Sequence, residues 1–278
     1  MKEFFVEPEY SSSFEKLGLT DIDSVFAFES GKNLVKDNLA SYRSRIQFKI
    51  DSPPSEIFLK RYDNPPKMTQ LKNWIAAKKR ISCAMAEIEA GQKLTEFEIN
   101  IPKMVSWGQD SNGFFESRSF AAIEEIKQGQ SLEKSLPDFF SSSESKENLI
   151  LRRKFIERLA LFIRKFHETG FRHRDLYLCH IFRVPDGRFY LIDLARVFKP
   201  MILSELYRLK DISQLHYSAP AKYFSRTDRM RFLQAYLGRN KLNYRDKIFV
   251  RKVINKAKSM ARHDLRHGRI VPFIKLEG

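Results

Sequence analysis

Residues 171–193 read FRHRDLYLCHIFRVPDGRFYLID. The segment Pro185-Asp186-Gly187 is a strong turn signal, because proline presets φ and glycine supplies the left-handed position. On either side, HIFRV and RFYLI are short apolar runs, so the stretch predicts strand, turn, strand. Such a hairpin carries its far end back towards the loop that precedes it. Asp175 in that loop and Asp193 at the end of the hairpin are therefore expected to face one site. Two carboxylates near each other repel, and each raises the other's pKa. A divalent cation resolves the conflict: one carboxylate binds the ion while the other orients or deprotonates a hydroxyl nucleophile.

Phosphoryl transfer from ATP uses this division of labour, since its chemistry is mostly positioning and charge neutralisation. Protein kinases write it as His-Arg-Asp, four residues, Asn, and a second Asp after the next hairpin. Here the order is His173-Arg174-Asp175, LYLC, His180, then Asp193. His180 stands where Asn is usual, and a neutral imidazole can ligate a metal or accept a hydrogen bond. Histidines 167, 173 and 180 match no common zinc spacing. A kinase site also needs a strand lysine for the nucleotide phosphates and a helix glutamate to hold it. FLKRY offers Lys60, and the following helical stretch offers Glu87 or Glu89, with spacing favouring Glu87. The segment linking the two halves should follow an apolar strand, which puts the backbone of Glu124-Glu125-Ile126 against adenine. Asp211, in RLKDISQL, is placed to buttress the catalytic loop from a helix.

Composition sets the outer bounds. The chain has 278 residues, enough for one large domain or two lobes around a cleft. An apolar fraction of 42% supports a real core, and a formal net charge of +16 favours anionic partners. No recognisable RNA- or DNA-binding motif accompanies that charge, so nucleic acid is not the expected partner. Two cysteines, Cys83 and Cys179, form no CxxC pair, which is the pattern of a reduced, cytoplasmic chain. The first residues, MKEFFVEPEYSSSFEK, lack the apolar core of a secretory signal. No run approaches the ~18 apolar residues a membrane span needs, so any membrane contact is expected to be peripheral.

Along the chain, YRSRIQFKI alternates as a half-buried strand, DSPPSE turns, and EIFLKRY returns. Met68 to Gln92 reads as one helical stretch, and two further strands span IPKMVSW to RSFAAIEEI. The first ~50 residues show no repeat. SLEKSLPDFFSSSESKEN predicts a helix and then a loop. Leu151, Phe155, Leu159, Phe162 and Phe166 make one helical apolar stripe ending at Gly170, and Val250, Val253, Ile254, Ala257 and Ala261 make another with basic residues opposite. The expected architecture is α+β. Residues 1–126 form a small β-rich N-terminal lobe with one main helix, and residues 127–278 a reduced helical C-terminal lobe with the catalytic loop and metal-binding hairpin.

HRDLYLCHIF, LIDLARV, FLKRY, and LKDISQLHYS followed by RMRFLQAYLG resemble the bacterial lipopolysaccharide core kinases, related to the heptose(I) and Kdo kinases, which have a protein-kinase-like fold. The Cys-His form of the loop is more similar to the heptose branch. The likeness runs from about Phe48 to the C-terminus and is most specific between Arg172 and Val197. It implies ATP and Mg²⁺ as cofactors and a sugar hydroxyl, heptose above all, of the lipopolysaccharide inner core as acceptor. It also implies Asp175 as base, Asp193 as metal ligand with help from His180, Lys60 as phosphate anchor and Glu87 as its partner. A glycolipid acceptor implies an anionic inner-membrane surface as peripheral partner. The chain departs from protein kinases in three places: no GxGxxG precedes Lys60, Asp193-Leu194-Ala195 replaces Asp-Phe-Gly, and no Ala-Pro-Glu follows. A kinase for another small molecule or for protein, and a non-catalytic nucleotide-binding scaffold, remain open on the residues alone.

Overall fold

The computed structural model describes residues 2–34, 40–140, 146–269 and 271–272. The chain divides into two compact units. The first is Met1–Gln128 with Asp193–Phe198; the second is Gly129–Ile192 with Lys199–Gly278.

The first unit begins with β1 (Lys2–Val6), α1 (Ser11–Lys16), α2 (Ile22–Ala27) and β2 (Lys32–Asn33). It continues with β3 (Arg43–Asp51), β4 (Pro54–Asp63), α3 (Lys67–Ala77), α4 (Cys83–Glu96), β5 (Met104–Asn112) and β6 (Phe115–Glu124). The strands make one antiparallel sheet in the order β1-β5-β6-β4-β3-β2. The DSPPSE turn fixes the central register: Asp51 faces Pro54, so Ile46 faces Leu59 and Arg45 faces Lys60. Strand side chains alternate between faces. Ile46, Phe48, Ile50, Ile57, Leu59, Phe120 and Ala122 point one way and are covered by Tyr10, Phe14, Leu19, Ile22, Val25 and Phe28. The opposite face carries Tyr62 and Ala121 against Cys83, Ala84 and Ile88 of α4.

Two expectations change here. The helix expected over Met68–Gln92 is broken: α3 stops where Lys78 turns left-handed (φ 59°), and Ser82 starts α4 by accepting from Met85 N–H. Gly91 lies within α4, which runs on to Glu96. A Cβ there would come within 2.9 Å of both Ile101 and Met104, so glycine lets α4 settle onto its neighbours. The N-terminal residues, which show no sequence repeat, supply an edge strand and the cover of one sheet face.

The second unit contains β7 (Gln130–Ser131), α5 (Leu132–Phe140), α6 (Lys146–Glu168), β8 (Ile181–Arg183) and β9 (Phe189–Leu191). It ends with α7 (Ser204–Ser218), α8 (Arg226–Leu237) and α9 (Tyr244–Arg266). β7, β8 and β9 form a small antiparallel sheet, so strand, turn, strand is realised over 181–191, with Gly187 at φ 85° in the turn. The loop expected after α5 falls on residues 141–145, outside the described residues. On α6 the buried face is Phe155, Ile156, Leu159, Ala160, Ile163 and Phe166, whereas Leu151 is 56% exposed. The apolar stripe therefore starts one turn later than its sequence pattern suggests. On α9, Val250, Val253, Ala257 and Ala261 are buried as the second stripe requires. Among the described residues no helix is long and apolar enough to cross a membrane.

Candidate active site

In the first unit three predicted residues meet. Lys60, on the α4 side of β4, puts Nζ 2.5 Å from Glu87 Oε1 on α4 and 3.7 Å from Asp193 Oδ1. Glu87 is fully buried. Its Oε1 also accepts from the Leu194 N–H at 3.3 Å, and its Oε2 has no hydrogen-bond partner among the described residues. Glu89 lies elsewhere, paired with Lys79 at 2.8 Å. A buried carboxylate is kept where a cation compensates it, and here that cation is Lys60.

Sequence reading missed one member of the cluster. Arg45 lies directly across the hairpin from Lys60 and brings Nη2 to 3.7 Å from Asp193 Oδ2. Like charges directly opposite on a sheet destabilise it by a few tenths to about 1 kcal/mol. The signal was present in the turn: pairing Asp51 with Pro54 and counting back six residues on each strand sets Arg45 against Lys60. Asp193 itself is left-handed (φ 58°), an uncommon conformation for a residue with a side chain, and it opens the 3-10 turn Leu194–Arg196.

Glu124 and Ile126 do not join this cluster. Glu124 closes β6, with its N–H bound to Lys103 O at 2.8 Å and its carboxylate accepting from Ser55 Oγ at 2.5 Å. The next N–H, of Glu125, is bound to Glu56 O at 2.8 Å. Ile126 is buried. The amides of residues 124 and 125 are thus already committed, which leaves carbonyl oxygens or the Ile126 amide for any base lying along this segment.

In the second unit the loop carrying Asp175 is pinned from below. Fully buried Asp211 on α7 accepts from the His173 N–H through Oδ2 and from the Arg174 N–H through Oδ1, both at 2.7 Å. Arg174 is left-handed (φ 71°), and the second of these bonds holds that conformation. Gln214, one turn along, accepts from Leu176 N–H at 3.1 Å and donates to Arg174 O at 2.9 Å. Asp175 is thus flanked by backbone groups anchored to one helix. His167 Nε2 lies 3.2 Å from Asp211 Oδ2 and its Nδ1 lies 2.7 Å from the Tyr236 hydroxyl. Burial pushes the His167 pKa down, against the opposing pull of Asp211. The neutral ring then donates from Nε2 to Asp211 and accepts from Tyr236.

His180 ends the 3-10 turn Leu178–His180 and lies with Nδ1 2.7 Å from Asp175 O. A carbonyl only accepts, so Nδ1 carries the hydrogen and the lone pair of the neutral ring is on Nε2. That tautomer can accept a hydrogen bond or bind a metal. Mg²⁺, however, takes oxygen ligands from one or two carboxylates together with phosphates, so the carboxylate of Asp193 is the better match to that ion. Lys60 and Arg45 beside it suit anionic phosphate oxygens. The donor set fits a metal–nucleotide pair.

Comparison with known proteins places the chain in a family. The model of the lipopolysaccharide kinase (Kdo/WaaP) family matches residues 68–236. The chain belongs to this family. Among relatives of the Kdo/WaaP kinases it is 29% identical over 175 residues to the lipopolysaccharide core heptose(I) kinase WaaP of Pseudomonas aeruginosa, covering 60% of this chain and 64% of that protein, just under two thirds of its length. It is 24% identical over 219 residues to the enzyme of the same description from Escherichia coli K12, covering 76% of this chain and 82% of the relative. A solved structure described as WaaP in complex with acyl carrier protein superposes with a TM-score of 0.69 at 21% identity, over 93% of this chain and 99% of that one. The fold is accordingly the protein-kinase-like α+β architecture of the Kdo/WaaP kinases, as the sequence predicts.

Proposed function

We propose that this chain is an ATP-dependent kinase that phosphorylates a heptose hydroxyl of the lipopolysaccharide inner core. The observation that carries the reading is the Lys60–Glu87–Asp193 cluster, together with an Asp175 loop pinned by Asp211, in a member of a lipopolysaccharide kinase family. The relatives named as heptose(I) kinases support heptose over other acceptors. In this reading residues 1–126 handle the nucleotide, and residues 127–278 supply the base and meet the acceptor.

Each residue has a defined task. Lys60, aimed by Glu87, neutralises phosphate charge, and Arg45 adds a second positive charge across the hairpin. The segment Glu124–Ile126 borders the adenine through its remaining backbone groups. Asp193 would hold Mg²⁺, with His180 Nε2 as a candidate second contact; the ion when bound would offset charge on the phosphates. Asp175 orients the acceptor hydroxyl and takes its proton as the oxygen bonds to the γ-phosphorus. The bond from that phosphorus to the β–γ bridging oxygen breaks, and ADP leaves. The reaction is cytoplasmic, at the anionic face of the inner membrane where a lipid-anchored acceptor sits.

The test is transfer of label from γ-labelled Mg²⁺–ATP to purified heptosylated core glycolipid. Asp175→Asn is expected to lower transfer by about 10²–10⁴-fold, the usual worth of a general base, while nucleotide binding is kept. Absence of label from the wild-type protein, with ATP still bound, refutes the acceptor. An Asp175→Asn variant as active as wild type refutes the base.

A further inference from the structure

In the second unit, Met201, Ile202, Leu203 and Leu206 are 74%, 76%, 58% and 58% exposed. Four bulky apolar side chains within six residues form a knob that contributes little to any core. The backbone beneath it is nonetheless held. Leu203 is left-handed (φ 60°), a conformation side chains rarely adopt. Its carbonyl accepts from the N–H groups of Leu206 and Tyr207 at 2.9 and 3.2 Å. Arg172, buried beside the His-Arg-Asp loop, donates from Nη2 to Ser204 Oγ at 2.9 Å and from Nε to Ser204 O at 3.3 Å. Its Nη1 donates to His167 O at 2.8 Å and Phe171 O at 2.6 Å. One guanidinium therefore ties the base of the knob to the segment that carries Asp175. An exposed apolar loop fixed in register with a catalytic loop is a contact surface rather than slack.

The charges around it select the partner. Lys199 and Lys210 flank the knob in sequence, and the acid within it, Glu205, is paired with Arg208 at 2.6 Å. Arg208, one turn into α7, lies over the Phe249 ring of α9 at 4.6 Å, so the start of α7 adjoins the early turns of α9. The outward residues of α9 include Arg245, Lys247, Arg251, Lys252, Lys256, Lys258, Arg262 and Arg266, all exposed, against the acids Asp246 and Asp264. Tyr244 at its first position is 75% exposed. Apolar side chains beside a basic helix face, with an aromatic at the edge, match the layered chemistry of an anionic bilayer surface: acyl chains, an interfacial belt, phosphate headgroups.

We propose that the Met201–Leu206 knob inserts at the headgroup–acyl boundary of an anionic bilayer while the basic face of α9 lies on the headgroups. The inference rests on the kinase reading in that a lipid-anchored acceptor would then be met at the surface where the Asp175 loop is held. Its test does not depend on catalysis.

The full chain is floated with phosphatidylethanolamine vesicles containing phosphatidylglycerol, and with phosphatidylcholine vesicles. Wild type is expected to float with the first and not the second. The double variant Met201→Asp/Ile202→Asp, on exposed positions, is expected to keep its melting temperature and to bind the anionic vesicles at least about tenfold more weakly. Lys252→Glu/Lys256→Glu is expected to weaken binding and remove its salt dependence. Phosphorylation of delipidated core oligosaccharide is expected to be unchanged in the knob variant, while that of vesicle-embedded glycolipid falls. Wild-type protein that ignores anionic vesicles overturns the proposal, as does equal binding to both vesicle types or a knob variant that binds normally. So does a knob variant that keeps vesicle binding but loses self-association in sedimentation, which would assign the patch to a second copy. If vesicle binding follows the expected pattern while no acceptor is phosphorylated, the surface stands and the proposed activity falls.

Discussion

Asp211→Asn tests how the catalytic loop is held. Asp211 offers two carboxylate oxygens to two backbone N–H groups, each at 2.7 Å, inside a fully buried site. The amide of asparagine has one oxygen. Whichever way it is turned, its NH₂ faces a backbone N–H, of His173 or of Arg174. One charge-assisted backbone bond is lost, worth about 1.5–3 kcal/mol, and any bond that survives, including the one from His167 Nε2 when the asparagine oxygen takes the Oδ2 position, becomes neutral and about 1 kcal/mol weaker. The expected loss of stability is about 2–4 kcal/mol, a drop of about 3–7 °C in melting temperature for a chain of this size. Denaturant unfolding with unchanged m-value measures the first, and a thermal scan the second. The left-handed turn at Arg174 loses its anchor in one of the two orientations, so Asp175 is less well aimed. We expect kcat to fall about 10–100-fold, with KM for ATP changed less than about twofold because Lys60, Glu87 and Asp193 are untouched. A stability loss under about 1 kcal/mol, or a KM shift as large as the kcat shift, refutes the reasoning.

Three other changes probe separate parts. Glu87→Gln keeps the shape of the buried side chain but removes its charge. Lys60 is then drawn to Asp193, and transfer should fall about 10–100-fold with the fold retained, as steady-state rates and a melting curve will tell; an unchanged rate removes Glu87 from the site. Arg45→Gln should raise KM for ATP about tenfold, the cost of one charge near phosphate, and raise it less at high salt, where wild type is already screened. His216 is pushed down to about 3 by burial, with Arg229 adding to the shift. Below its ordinary value of 6.5 the unfolded chain therefore binds a proton the fold refuses, and stability falls as pH drops from 6.5 towards 3 by about 1.4 kcal/mol per unit. His216→Leu should remove about 2 kcal/mol of the loss between pH 7 and pH 5 in denaturant titrations, and an unchanged slope contradicts the burial argument.

What was legible in the sequence was local. The Pro-Asp-Gly turn fixes β8 and β9 because turn chemistry is decided within four residues. The DSPPSE turn fixes β3 and β4 and, through register, the meeting of Arg45 with Lys60, which reading one strand at a time overlooks. Glu87 and Glu89 differ by two residues on a helix and so point to different sides; spacing favours Glu87, and packing against the sheet turns that residue inward. Other features answer to distant partners. β1 pairs with β5 across about a hundred residues, and Lys2 to Val6 carries no signal of that pairing. The break at Lys78 interrupts a run of good helix formers because α3 and α4 must cover different ground, and propensity yields to tertiary packing. Leu151 has the spacing of a core residue but stands 56% exposed, because periodicity marks a face of a helix and not how far along it a neighbour packs.

On the proposed kinase reading, the absence of glycine between Lys32 and Ser44 bears on how phosphates would be held. A glycine-rich loop works by letting backbone N–H groups approach the phosphate oxygens. On the proposed reading, the side chains of Lys60 and Arg45 supply the compensating charge. Arg45 opposite Lys60 is what a sheet otherwise avoids, since two cations facing across a hairpin raise its energy. Glu87 answers one of them from within the core, and Asp193 stands 3.7 Å from both. At that distance the carboxylate screens the pair without being consumed by a short bond to either cation. On the proposed reading, an incoming polyphosphate with its cation would meet two positive groups and one carboxylate already set apart. In that reading, a bound polyphosphate would offset the repulsion between Arg45 and Lys60 while its cation met Asp193, so the arrangement would cost stability in the resting protein and return it on binding.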